Sequence, residues 1–150
     1  KNSLSDFLKA KAHKSLEDSN QGQINWEERK KEWLGSIEAL YGQIKNWLGS
    51  LEEETLLTFV PSEITLHEPP LGQYNAKVLT IVIGGQRISF VPKGTLIVGG
   101  RGRIDVEGHK GMRTIILRDG EWSIVQRGPK LKSTKFNKSS FQNVLDEVME

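Results

Sequence analysis

The stretch YNAKVLTIVI-GG-QRISFV, residues 74–91, decides how the rest of the chain is read. Tyr74 to Ile83 and Gln86 to Val91 are rich in β-branched and aromatic residues. Between them, Gly84-Gly85 is a two-residue turn that accepts positive φ, so the stretch predicts a β-hairpin. Working outward, Asp119-Gly120 joins Met112–Arg118 to Glu121–Arg127 as a second hairpin. Lys93-Gly94 turns into a short strand over Thr95–Val98. After Gly99-Gly100, residues Arg103 to Glu107 alternate polar and apolar, and Gly108 to Gly111 makes the next turn. Upstream, Leu56–Val60 and Glu63–His67 read as two strands separated by Pro61. Pro69-Pro70 forces an extended break, because proline has no N–H to give a ladder.

Short strands with turns at roughly 8–12-residue spacing imply an antiparallel meander rather than βαβ units. The sheet is expected to have about seven strands, bury one face and curl into a barrel or sandwich.

Helices flank the sheet. Ser3 with Asp6 has N-cap spacing, and Leu4, Phe7, Leu8 and Ala12 follow at helical intervals up to the loop composition at Ser19–Gly22. A longer helix starts at Asn25, where Glu28 approximates a capping box. Along it Trp26, Trp33, Ile37, Leu40, Ile44, Trp47 and Leu51 recur with a period close to 3.5, the seam of helices packed at a shallow angle. Gly35, Gly42 and Gly49 lie seven apart on another face, each costing about 1 kcal/mol against alanine. Ser139 to Met149 closes the chain as a short helix with Phe141, Val144, Leu145 and Val148 on one side, and Ser139 to Gln142 has capping-box spacing.

The reading is therefore α+β: one domain over 1–150, with a helical arm at 1–54, an antiparallel sheet at 55–136 and a C-terminal helix at 137–150. Seven strands followed by one helix resembles the element order of a pleckstrin-homology-like barrel. That resemblance concerns architecture alone and implies no activity.

At 150 residues the chain can bury roughly two-thirds of its unfolded surface, enough for a core without staples. With 36% hydrophobic and 27% charged residues it reads as globular rather than disordered. The absence of cysteine excludes disulfides, thiolate metal sites and thiol nucleophiles. No apolar run approaches the roughly 20 residues of a membrane helix, and the first twenty residues lack the apolar core of a secretory signal. The expected setting is cytoplasmic and non-membrane, with an upstream segment left open because the chain starts at Lys1.

Charge is distributed unevenly. Residues 86–138 hold 12 basic and 4 acidic groups, so this stretch is +8 in a chain whose net charge is +2. Such asymmetry points to an anionic partner, because summed surface charge steers association. Gly99-Gly100-Arg101-Gly102-Arg103 combines exposed backbone N–H groups with forked guanidinium donors, a composition suited to anions. The competing reading is a glycine bulge with solvated arginines. The basic stretch Arg127, Lys130, Lys132, Lys135 and Lys138 can track a phosphate backbone. Lysines equally guard an exposed edge strand.

No catalytic, metal or cofactor signature is present. His13, His67 and His109 lack ligand spacing, and no G-x-S-x-G or H-E-x-x-H occurs. Asp105 and Glu107 share one strand face, where a solvated face balanced by Arg103 outweighs acid–base chemistry.

The expectation is a non-enzymatic protein-interaction domain with a basic face at Arg101, Arg103, Arg127, Lys130 and Lys132. The stripe Trp26, Trp33, Ile37, Leu40, Ile44 and Trp47 is expected either as plain core or as a seam for self-association. A nucleic-acid or phospholigand module is the alternative, and a hydrolase with an unrecognised site the third reading.

Overall fold

The computed structural model describes residues 4–6, 8, 25–95, 97, 100–126 and 132–150. These fall into two compact units, Lys1–Glu32 and Trp33–Glu150, with the long helix α1 (Trp26–Glu53) running through the boundary. In the first unit, Leu4, Ser5, Asp6 and Leu8 are helical, and the rest of the expected first helix lies outside the described residues. Asn25 caps α1, its side-chain oxygen accepting from the Glu28 N–H at 3.2 Å. Glu27 and Glu28 stand in the first turn, where carboxylates complement the helix dipole. The helix ends where Thr55 takes a positive φ of 57° and the Leu56 N–H turns back to the Leu51 carbonyl at 2.9 Å.

The second unit contains one seven-stranded antiparallel meander, ordered β1-β2-β3-β4-β5-β6-β7. Its strands are β1 (Leu57–Glu68), β2 (Gly72–Ile83), β3 (Gln86–Gly94), β4 (Gly102–Glu107), β5 (Met112–Arg118), β6 (Glu121–Gln126) and β7 (Lys132–Lys135). The short helix α2 (Lys138–Val148) follows. The fold is α+β, and among the described residues the seven strands form one unclosed sheet, so the expected curl into a barrel or sandwich is not borne out.

Both expected hairpin turns are present: Gly84 and Gly85 have φ of 58° and 80°, and Asp119 and Gly120 have 52° and 76°. Four features differ from the sequence reading. Pro61 does not split β1, which runs unbroken through it in register with β2. On an edge strand a proline can direct its missing N–H outward and leave the ladder intact. Thr95 and Ile97 are not in a strand, and Leu96 and Val98 lie outside the described residues. β7, which the sequence offered only as a basic stretch, pairs with β6 from Ser123↔Lys135 to Gln126↔Lys132. Helix α2 is capped by Asn137 with Ser140, not by Ser139 with Gln142. The Asn137 side chain accepts from the Ser140 N–H and the Ser140 hydroxyl accepts from the Asn137 N–H.

The core lies between one face of the sheet and the two helices. Ile88, Phe90, Ile104, Val106, Ile115, Leu117 and Ile124 come from the strands. Trp33, Ile37, Leu40, Tyr41 and Ile44 come from α1, and Phe141, Val144 and Val148 from α2. The aromatic rings of both helices meet above the sheet: Trp47 lies 5.4 Å from Phe141, Phe90 lies 6.2 Å from Phe141, and Trp33 lies 6.1 Å from Trp122. Gly102 is required beneath Trp33, because a Cβ there would collide with the indole ring.

Candidate interaction surface on the outer sheet face

Strand parity decides which side chains the helices leave uncovered. Phe90, Val106, Arg113, Ile115 and Leu117 share the helix-covered face, where Arg113 pairs with Glu147 of α2. Their neighbours along each strand, one residue on, project to the other side. Cross-strand pairing therefore assembles one outer row of Arg103, Ile116, Ser123 and Lys135, and a second of Val91, Asp105, Thr114, Val125 and Ser133.

The outer face is polar and largely paired. Arg103 forks onto Asp105, with Nε to Oδ1 at 2.8 Å and Nη2 to Oδ2 at 3.1 Å. The Thr114 hydroxyl adds a contact to Asp105 Oδ1 at 3.0 Å, and Asp105 is only 4% exposed. The hydrogen bonds to Asp105 hold the guanidinium proton above its already high usual range. Lys93 reaches Glu107 at 3.8 Å, Lys135 reaches Glu121 at 3.7 Å, and the Thr80 and Ser89 hydroxyls meet at 2.8 Å. Beside Thr114 a groove of about 310 Å³ is lined by Met112, Arg113, Thr114, Val125 and Gln126, and Met112 is 39% exposed.

The register divides the residues expected to form a basic face. Arg101 is exposed at the start of β4, with its N–H bonded to the Leu117 carbonyl at 2.6 Å, and this places it beside exposed Arg118. Arg103 stands on the outer face but is committed to Asp105. Lys132 is exposed at the far end of β7 opposite Gln126, on the other side of the strand from Lys135's row. Three residues of strand, about 10 Å, separate Lys132 from Lys135. Arg127 and Lys130 lie outside the described residues. Arg118 was read from sequence only as the end of a strand, and hairpin pairing alone brings it next to Arg101.

The tryptophan stripe is core from Trp33 onward. Trp33 is 1% exposed and Ile44 is fully buried, Ile37 and Leu40 are also buried, and Trp47 is half-buried against Phe136 and Phe141. Trp26, in the first unit, is half-buried, with the Arg29 guanidinium 5.4 Å above its ring.

A second polar cluster has no sequence signal at all. Glu68, a single acid before Pro69-Pro70, is 7% exposed and accepts from the Thr95 N–H at 2.7 Å, the Thr95 hydroxyl at 2.8 Å and the Tyr74 hydroxyl. Tyr74 Oη accepts from Trp33 Nε1 at 3.1 Å. Burial first, and then the Glu68 carboxylate, raise the Tyr74 pKa well above its usual value.

Among the described residues no group of three or more His, Cys, Asp or Glu side chains is arranged to hold a metal ion. No described helix is long and apolar enough to cross a membrane. His67 and His109 are exposed, and His109 Nε2 accepts from the Arg87 N–H at 3.3 Å. Buried side-chain polar atoms among the described residues all have partners. No family model matches the chain, and no curated protein or solved structure matches it significantly.

Proposed function

We propose that this domain binds an acidic segment of a partner protein on the outer face of β4–β7. What supports the reading is one arrangement: Arg103, Ile116, Ser123 and Lys135 form a row, and exposed Arg101 and Arg118 stand in the next row beside it, with Glu121 opposite Arg118. Cations flanking half-buried aliphatic side chains suit a partner that carries carboxylates beside apolar anchors. The ion pairs already on this face fix its geometry. Arg103 is held by Asp105 and serves shape more than charge, while exposed Arg101 supplies the attraction and Arg118 adds positive charge beside it.

The test compares the native chain with a double variant, Arg101→Glu with Arg118→Glu. Both are exposed, so the fold is expected to survive. Binding is measured against Glu/Asp-rich peptides and against random duplex DNA, at low and moderate salt. Peptide binding that falls at least tenfold in the variant, with unchanged melting temperature, supports the reading. Peptide binding that is unaffected removes these arginines from it. Binding confined to DNA, with a steep loss as salt rises, would replace a protein partner by a phosphate backbone.

A further inference from the structure

We infer that residues 62–78, the distal part of the β1–β2 hairpin, form an arm that opens and closes as a unit, with Glu68 as the clasp that holds it shut. The argument begins where β2 and β3 part. Their ladder runs only from Ile83↔Gln86 to Leu79↔Phe90, although β2 continues back to Gly72 and β3 onward to Gly94. The next pair on the helix-covered face in this register would set Lys77 against Pro92, and Pro92 has no N–H to give. Beyond that point β2 is paired with β1, while β3 is paired with β4.

Tyr41 of α1 fills the fork. Its hydroxyl lies 2.7 Å from the Lys77 carbonyl and 3.1 Å from the Phe90 carbonyl, one on each diverging strand. The buried side of β2 changes at the same place. Tyr74, Ala76 and Val78 bury one face of the strand, whereas Leu79 and Ile81 bury the opposite face against β3. The arm therefore lies against the core as a flap and does not continue the β2–β3 ladder.

Side chains make the closure. Glu68, at the tip of the arm, receives the Thr95 N–H and hydroxyl from the chain just after β3, and it also receives Tyr74, which is tied to Trp33. Gly94 has φ of +132°, and a Cβ there would stand 3.0 Å from Glu68 Oε1, so glycine lets the carboxylate seat. A segment attached through few backbone bonds is drawn from the low-stability end of a fold. Once released, a two-stranded hairpin is marginal in water, so opening would expose its amides to exchange.

Residue-resolved hydrogen exchange over a series of low denaturant concentrations tests this. In the native chain the amides of residues 62–78 are expected to exchange together, ahead of those of 79–90. Glu68→Gln keeps an oxygen for Thr95 but sets an NH2 group against the Tyr74 hydroxyl. It is expected to speed exchange across 62–78 by about tenfold or more while 79–90 and β4–β5 stay within about threefold. Thr95→Val, which removes the hydroxyl and keeps the N–H, should give the same pattern with a smaller change. Equal acceleration of arm and body in these variants would overturn the inference. Should Glu68→Gln fail to fold, a native chain in which arm and body share one protection and one denaturant dependence would also overturn it. This inference does not depend on the identity of any partner.

Discussion

The two faces of the sheet are built on different principles. The helix-covered face is filled by Ile88, Phe90, Ile104, Val106, Ile115 and Ile124 against the rings of Trp33, Tyr41 and Phe141, so volume and shape set its energy. The outer face carries Arg103 on Asp105, Thr114 on Asp105 and Thr80 on Ser89, so pairing sets its energy. Apolar packing penalises any lost volume, because the cavity cannot fully collapse. The outer pairs centre on small buried polar groups such as Asp105 and Thr80, so a substitution there loses hydrogen bonds but opens little cavity and costs less. Losses should therefore be graded from the inner face to the outer.

The largest loss is expected from Trp33→Ala. Trp33 packs on Gly102 and Trp122, and its removal should cost about 3–5 kcal/mol in denaturant unfolding. A loss below about 1 kcal/mol would mean that the helices do not cover this face as described.

Tyr41→Phe should cost about 1–3 kcal/mol, because the buried Phe90 carbonyl and the part-buried Lys77 carbonyl lose a shared donor. It also has a pH signature. Burial raises the Tyr41 pKa above its usual 10, so the folded chain keeps this proton after the unfolded chain has released its own. The contribution is therefore whole below about pH 10 and declines as pH rises beyond it. The variant should show a shallower fall in melting temperature between about pH 10 and 11.5 than the native chain. Parallel curves would contradict the buried placement of Tyr41.

On the outer face, Asp105→Asn should cost only about 1–2 kcal/mol, since half-buried Arg103 can turn to water when its partner loses charge. A cost matching that of Trp33→Ala would show that the two faces do not differ in kind. The smallest change is a gain: Gly42→Ala should raise stability by about 1 kcal/mol or less, because nothing lies within 4 Å of a Cβ placed there. A loss at Gly42 would reveal a backbone or partner approaching α1 from outside.

Much of this architecture could be read from local chemistry. The glycine pair at 84–85 and Asp119-Gly120 carry the backbone freedom that tight turns need, so both hairpins were legible. The period of Trp33, Ile37, Leu40 and Ile44 announced a helix with one buried stripe. Pro61 misled, because a proline's effect depends on whether its strand lies at an edge, which is settled only once the sheet is assembled. β7 was missed because Lys132-Ser133-Thr134-Lys135 has no apolar alternation, and pairing with β6 alone makes it a strand.

The candidate surface was less legible than the fold. Sequence alone determined that the stretch from 86 to 138 is strongly basic and that Arg101 follows a glycine pair. Tertiary structure decided that Arg103 is bound to Asp105, that Arg118 stands by Arg101, and that Lys132 and Lys135 lie on opposite sides of β7. It also decided that Glu68 meets Thr95, 27 residues along the chain. The physical reason is range. Turns and helical stripes are set by residues within a few positions of one another, whereas charge pairing and the sharing of a face depend on strand register.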